Sequence, residues 1–559
     1  MSKQNKSYPS MSSQAEASDG SVYLSSSGGC VSRSGVPPTG MFATSRTVGD
    51  VLRNCAVTWP DKAAFETLDG RSVTFGALNR RVNALNNSVA ALGITQGARV
   101  ALLSKNSPEY FEVFGLSKSG LIIVTLNWRL GADELLKLMR HSAPELLIVD
   151  EEHRHVVDAF RDQLPSVKHH VVVGAPMTGW RGYEELLITA TDEEPNIFVD
   201  PGDTASIIYT SGTTGTPKGV AITHAGAIGN AAVSAHALEL MSDDNTMAVM
   251  PLFHVGAMWY HLFPSFACGS TTLLLSEFDP GVVLRELQAR RITNVHLVPT
   301  MVASLIAHPE AGSTDLSSLR ALFYAASSMP SELLRRAMVT FPSCGFAQGY
   351  GSTEGGAIAF LDTDTHRRAI EPDGERLLSS CGLPYPGRSV RLVGAQGQEV
   401  PQGSVGEIEV HSPDLMRGYW EDDDATARVL NADWLKTGDL GRFDEDGYLY
   451  IVDRKNDMVI TGGENVFPTE VESHLFRDQD VQEVAVFGVP DPVWVERLVA
   501  AVVLRAGSTA TGEDLIRRLR GQLAHYKCPK EIFIVEELPK SGAGKVLRRQ
   551  LREQFGGDQ

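Results

Sequence analysis

Along residues 41–440 the chain alternates short β-branched or apolar runs with stretches whose apolar positions recur at helical spacing. Residues 99–103 read as a strand and 107–116 as a helix, and 121–125 and 146–149 read again as strands. Further on, 319–325 predicts a strand, 331–341 a helix and 344–349 another strand. Such alternation predicts a largely parallel sheet covered by helices, with ligands gathering at the carboxyl ends of the strands. After Asp453 the pattern changes. Strands over 484–489 and 499–504, a helix over 512–523 and a strand over 532–535 predict a separate α+β unit of roughly 100 residues. The fold class expected is α/β: a large N-terminal domain, 41–454, of layered, mostly parallel sheets with helices, and a small C-terminal α+β domain, 455–559.

Residues 1–40 do not join this pattern. They are rich in Ser and Gly, lack apolar periodicity and predict a disordered tail. Glu16 and Asp19, and the lack of a basic start with an apolar core, fit neither a secretory signal nor an organelle transit peptide. Met41 opens the first stretch of globular character and is a candidate natural start.

Composition narrows the classes. At 559 residues the chain has room for more than one core, and 43% hydrophobic with 21% charged residues is ordinary soluble composition. No apolar run approaches the ~18 residues of a membrane span. A net charge of −18 argues against nucleic-acid binding, which needs a basic face. Cys30, Cys55, Cys268, Cys344, Cys381 and Cys528 lie far apart without a CxxC pair, so neither a zinc site nor a disulfide framework is expected. A reducing, cytoplasmic home fits that usage.

The segment richest in chemistry is 209–219, Tyr-Thr-Ser-Gly-Thr-Thr-Gly-Thr-Pro-Lys-Gly, directly after the apolar strand at 205–209. Its glycines let backbone amides approach an oxyanion, its hydroxyls donate further hydrogen bonds, and Lys218 adds a point charge. Together these suit a triphosphate. It is not a Walker A loop: Pro217 stands where the second glycine belongs, and Gly219 follows the lysine where Ser or Thr should.

This segment resembles the phosphate loop of the adenylate-forming superfamily, which includes acyl- and aryl-CoA synthetases, firefly luciferase and nonribosomal peptide synthetase adenylation domains. The resemblance runs from about residue 45 to about 550. It implies that Thr210, Ser211, Gly212, Thr213, Thr214, Gly215 and Lys218 hold ATP. Gln348-Gly349-Tyr350-Gly351-Ser352-Thr353-Glu354 matches the second ATP motif, where flanking glycines would leave the Tyr350 face open for adenine. There Thr353 would reach the α-phosphate, and Glu354, with Thr213, would ligate Mg²⁺ through hard oxygens. Ala326 and Ser327, in the segment 325–330, resemble the stretch bordering adenine, where relatives more often carry Gly and Pro. Asp439, in 434–440, offers a carboxylate to both ribose hydroxyls, and Arg454 would join the ribose or phosphate.

Near the C-terminus, 538–545 resembles the family's final motif. An anionic carboxylate must attack an anionic α-phosphate, and a positioned ammonium at Lys545 would bridge the two as charge redistributes. An ordinary lysine, with a pKa of about 10.4, stays charged, so Lys545 is a stabiliser and not a base. In relatives the small domain rotates after this step and admits pantetheine; Gly462 and Gly463, in 461–470, match the segment lining that tunnel. Asn456 stands at the hinge, where Asp or Lys is common, and Val495 stands where relatives often have glycine.

Residues 251–259 resemble the motif opening onto the acyl pocket, with His254 placed to gate or orient the carboxylate. Amino-acid-activating relatives carry an Asp after the corresponding Phe; His254 removes that partner. No carrier domain follows residue 550. Met258, Trp259 and Phe263, with Gly355 and Gly356, suggest an apolar pocket for a fatty or aromatic acid. The resemblance therefore implies an acyl-CoA synthetase taking a small carboxylic acid, ATP, Mg²⁺ and coenzyme A. The alternative is an acyl-AMP ligase that loads a carrier protein, and the double glycine leans against it. No nucleic acid or integral membrane segment is expected, and a homodimer is compatible with this reading.

Overall fold

The computed structural model describes residues 39–210, 217–327, 329–371, 373–455, 457–461, 464–491, 494–540 and 546–556. The predicted tail, 1–40, lies outside them except for its last two residues, and Met41 lies within the first helix, Thr39–Thr44.

Two sheets carry most of the large N-terminal part. In the first, Asn245–Ala248, Asn294–Leu297, Ala321–Tyr324 and Phe346–Ser352 lie side by side and parallel. In the second, Ile122–Thr125 and Thr204–Thr210 are parallel neighbours, and Arg99–Leu103 and Leu146–Asp150 continue the order. Their strands are buried almost throughout, as parallel strands with helices on both faces must be. Strands expected at 99–103, 121–125, 146–149, 319–325 and 344–349 are all present, as Arg99–Leu103, Ile122–Thr125, Leu146–Asp150, Ala321–Tyr324 and Phe346–Ser352. The helix expected at 107–116 tightens after Phe114 into a 3₁₀ turn over Gly115–Ser119.

The carboxyl edges of the two sheets are joined by hydrogen bonds. Beyond Arg99–Leu103, the Asn106 amide donates to the carbonyls of Met250 (2.9 Å) and Leu275 (3.0 Å), and its Oδ1 accepts from Leu252 N–H at 2.9 Å. Thr125 donates to the Phe253 carbonyl at 3.2 Å. Segment 250–253 is thereby held where the strand ends of both sheets meet.

Parallel alternation does not continue to residue 440. Ser389–Val393, Gly406–His411, Leu430–Asn431, Trp434–Phe443 and Leu449–Arg454 form a third sheet whose pairs are all antiparallel. Its second strand turns Ile408 and Val410 inward, while Arg391 and Glu409 pair at 2.7 Å on the other side. Charged residues set between apolar ones deny these strands the continuous apolar runs of the parallel sheets, even where, as at Glu409, the charged side chain is buried.

The C-terminal sheet is separate. Val481–Asp491 and Val495–Leu504 make a long antiparallel pair, longer than the sequence runs suggested, and Glu531–Ile534 adds in parallel. Helix Pro468–Phe476 starts at its proline, whose missing N–H costs nothing at a first helical position. Among the described residues no helix is long and apolar enough to cross a membrane.

Candidate active site

The motif segments follow the carboxyl ends of neighbouring strands. His254 lies beyond Asn245–Ala248, Ala326 and Ser327 beyond Ala321–Tyr324, and Thr353 and Glu354 beyond Phe346–Ser352. In the second sheet, Thr204–Thr210 and Lys218–Thr223 form a hairpin in which Thr210 pairs with Lys218. Residues 211–216, the centre of the phosphate loop, lie outside the described residues, so Ser211, Gly212, Thr213, Thr214 and Gly215 are not placed. Their flanks are.

Lys218 points its ammonium over the Tyr419 ring, 4.6 Å from the centroid, a cation–π contact. The Tyr419 hydroxyl donates to Glu354 Oε1 at 3.1 Å. Lys218 and Glu354, 136 positions apart in the chain, are thus linked through one aromatic ring. A cleft of about 430 Å³ opens here, lined among others by His141, Lys218, Tyr419, Asp422 and Arg428. Sequence reasoning missed Tyr419; its signal was the Gly418-Tyr419-Trp420 run, on a two-residue strand that pairs with Lys218–Thr223. A second cleft, about 500 Å³, lies between helices Pro468–Phe476 and Gly512–Leu519 and is lined by no site residue named above.

Asp439 is 4% exposed and both its oxygens are engaged. Oδ2 accepts the Tyr350 hydroxyl at 2.7 Å, and Oδ1 forms an ion pair with Arg454 Nε at 2.6 Å. Asp439 and Arg454 face one another directly in the antiparallel ladder. Three residues expected at the nucleoside are therefore in mutual contact. A carboxylate has about four acceptor positions, so each oxygen keeps room for one more donor.

Tyr350 corrects the expectation of an open aromatic face: it is 8% exposed, and burial beside Asp439 pushes its phenol well above the ordinary range. Its flanking glycines answer to packing. A Cβ on Gly349 would sit 2.6 Å from the Phe323 ring, and one on Gly351 2.3 Å from the Gly356 carbonyl oxygen. Gln348 accepts the Tyr324 hydroxyl at 3.2 Å.

The family model for AMP-binding enzymes matches residues 52–420, and that for the AMP-binding enzyme C-terminal domain matches 470–545. The chain belongs to the AMP-binding enzyme family. It is 39% identical over 488 residues to a feruloyl-CoA synthase of Amycolatopsis sp, covering 87% of this chain and 95% of that one. An indoleacetate–CoA ligase of Aromatoleum aromaticum is 37% identical, with 86% and 93% covered. Among solved structures, the anthranilate CoA ligase AuaEII in complex with anthranoyl-AMP superposes with a TM-score of 0.83 at 28% identity, covering 91% and 97%.

In this AMP-binding enzyme, the residues expected to line an apolar pocket divide. Met258, Trp259 and Phe263 are at most 1% exposed and belong to the main core. Trp259 stands edge-on to Phe114 (5.4 Å) and to Phe263 (5.0 Å). These three are packing residues in the structure, a correction to the pocket reading. They lie on a helix that widens into a π turn over Met258–Leu262, a distortion frequent at functional sites. From that turn the Tyr260 hydroxyl donates to the Ser352 carbonyl at 2.9 Å, tying it to the second ATP motif. His254 caps the same helix, half-buried, its ring 4.2 Å from Phe253.

Of the described non-glycine residues with left-handed φ, two fall in the motif segments. Ala326 has φ +74° and Val495 φ +73°, left-handed values that suit glycine, most unusual for a β-branched side chain. Val495 pairs with Thr461, next to Gly462 and Gly463. Those glycines, Asn456 and Lys545 lie outside the described residues. The stem of the Lys545 loop is described: Lys540 bridges Val546, Leu547 N–H donates to the Pro539 carbonyl at 2.8 Å, and Lys540 pairs with Glu483 at 2.8 Å. Among the described residues no group of three His, Cys, Asp or Glu side chains is placed to hold a metal; Glu354 is a single hard-oxygen donor suited to Mg²⁺ beside phosphates, which seldom takes a full protein cage.

Proposed function

We propose that this acid–thiol ligase activates an apolar carboxylic acid, aryl acids ahead of fatty acids, as an acyl adenylate and transfers the acyl group to coenzyme A. The observation that carries the reading is the meeting of Tyr350, Asp439 and Arg454 through one hydrogen bond and one ion pair, with Lys218, Tyr419 and Glu354 in a second linked group. A nucleoside end and a phosphate end are what ATP requires. The preference for aryl acids is supported by the feruloyl- and indoleacetate-activating relatives.

A carboxylate is a poor electrophile. In the first step its oxygen attacks the α-phosphorus of ATP and pyrophosphate leaves. In the second, the thiol of coenzyme A attacks the acyl carbon, AMP leaves, and the thiol proton passes to solvent. In this reading Asp439 takes the ribose hydroxyls, Arg454 holds Asp439 in place, and Thr210, Lys218 and Thr353 address the phosphates. Lys545 stabilises the charge that builds during adenylation. Mg²⁺, when bound, would neutralise phosphate charge, and Glu354 and Thr213 would hold it. His254, at the start of its helix beside Phe253, orients the acid. Ala326, Ser327, Gln348, Gly349 and Gly351 border the nucleotide, and Gly462 and Gly463 the thiol path. The division at 454/455 is read as the boundary of a lid that changes orientation between the two steps.

The test is pyrophosphate release from ATP and Mg²⁺ with a panel of aryl and fatty acids, with and without coenzyme A. Thioester formation with aryl acids is expected. Release that never yields a thioester would favour delivery to a carrier protein, and silence across the panel would overturn the reading.

A further inference from the structure

We propose that His296 determines acyl specificity: its imidazole hydrogen-bonds a hydroxyl carried on the ring of an aryl acid, so that ring-hydroxylated acids are favoured over unsubstituted ones. The proposal rests on the acyl-activating reading above.

His296 lies on the buried strand Asn294–Leu297 and is 2% exposed. Neither Nδ1 nor Nε2 completes a hydrogen bond, although the Gly256 backbone acts weakly on the ring, and among the described histidines it alone has both nitrogens buried and without a full partner. Neighbouring interior histidines are paired. His261 Nε2 meets Asn294 Oδ1 at 2.9 Å, and His366 meets the Tyr324 hydroxyl at 2.9 Å and the Asp362 carbonyl at 2.7 Å. Two orphaned polar groups in a core carry their full desolvation cost, which an apolar side chain of the same size would not. An unexplained orphan of this kind calls for a ligand.

Its place says which ligand. His296 is in register with Phe323, their rings 4.7 Å apart, and Phe323 packs directly under Gly349 of the second ATP motif. On the other side, a Cβ on Gly256 would come 3.2 Å from His296 Cε1. Gly256 is two residues beyond His254 on the segment expected to open onto the acyl pocket. The imidazole therefore stands between the nucleotide motif and the acyl motif, next to an aromatic ring. Burial holds it neutral, with a pKa pulled down to about 3. At any working pH one nitrogen carries a hydrogen and the other a lone pair, which together match a hydroxyl that donates and accepts.

The experiment compares kcat/KM for pyrophosphate release with cinnamic acid and with its three ring-monohydroxylated forms, in the wild type, His296→Leu and His296→Gln. In the wild type at least one hydroxylated acid is expected to lead cinnamic acid by roughly 10–100-fold, the scale of one or two neutral hydrogen bonds. His296→Leu should bring that ratio near one while cinnamic acid is still turned over. His296→Gln, whose amide donates and accepts, should keep part of it. A wild-type ratio near one overturns the proposal whatever the variants do, as does a preference that persists in a folded Leu variant. Should the Leu variant not fold, His296→Gln decides: a preference reduced in size or moved to another ring position supports the assignment, and one unchanged from the wild type overturns it. Failure of all four acids and of the wider panel would instead overturn the acyl-activating reading.

Discussion

Asp439 is held by Tyr350 and Arg454 before any nucleotide arrives. Asp439→Asn replaces one acceptor oxygen by a donor that faces either the tyrosine hydroxyl or the guanidinium. Charge-assisted hydrogen bonds are worth about 1.5–3 kcal/mol, so KM for ATP should rise by roughly 10–100-fold in a pyrophosphate-release assay. Tyr350→Phe, which keeps the ring, should cost less. An unchanged KM in Asp439→Asn would remove the residue from the ribose. What the sequence made legible here was the identity of each residue; what it left dark was their contact, since Tyr350 and Asp439 are 89 positions apart and meet only because two different sheets bring them together. The same gap hid Tyr419 and His296. It also explains the misreading of Trp259, an aromatic whose motif suggested a pocket and whose packing makes it core.

At the scale of the element, the N-terminus of helix Pro468–Phe476 is capped from another sheet. Asp453 Oδ2 accepts Thr469 N–H at 3.0 Å, and Oδ1 accepts Arg454 N–H at 2.7 Å. Burial dominates these bonds and raises the Asp453 pKa from 3.8 to about 6. The sign follows from linkage: the folded state binds this proton more tightly than the unfolded one. The contribution of Asp453 to stability therefore grows as pH falls from above 6 to about 4, and is unfavourable above 6. Asp453→Asn cannot titrate, and it sets an amide N–H against one of the two backbone donors at a cost that does not change with pH. Its stability relative to the wild type should therefore be better by about 2–3 kcal/mol at pH 8 than at pH 4. Denaturant melts at the two pH values check it, and a difference independent of pH would contradict the assignment. Elements differed in how well the sequence announced them. Buried runs such as 146–149 gave their strands away by uniform apolarity. Ser389–Val393 and Gly406–His411 did not, because the ion-paired Arg391 and the buried Glu409 break their apolar runs.

On the scale of the whole molecule, the Lys545 loop hangs from a stem closed by the Lys540–Val546 bridge. On the proposed reading, a lid that changes orientation between the two steps would bring Lys545 to the first and withdraw it from the second. Lys545→Ala should lower adenylation about 10²–10³-fold, the scale for losing one key charge stabiliser. Thioester formation from a supplied acyl adenylate should largely survive. Equal loss in both half-reactions would contradict the role. The separation of this part was legible at Asp453 as a change of pattern. The extent of its strands was not, because polar residues such as Glu483, Arg497 and Glu496 interrupt the apolar runs that mark Val481–Asp491 and Val495–Leu504.

Gly349 and Gly351 leave no room for a methyl group against Phe323 and the Gly356 carbonyl. The hairpin they build would need them even if it never met a nucleotide. A descendant of this chain that had lost its chemistry, and kept its fold for some other use, would still be forced to spell this part of the motif. Its decay would show first at Lys218 and Glu354, whose contacts through Tyr419 answer to charge and not to close packing. Those two side chains, and not the glycines that catch the eye, are where a working lineage and a silent one would part.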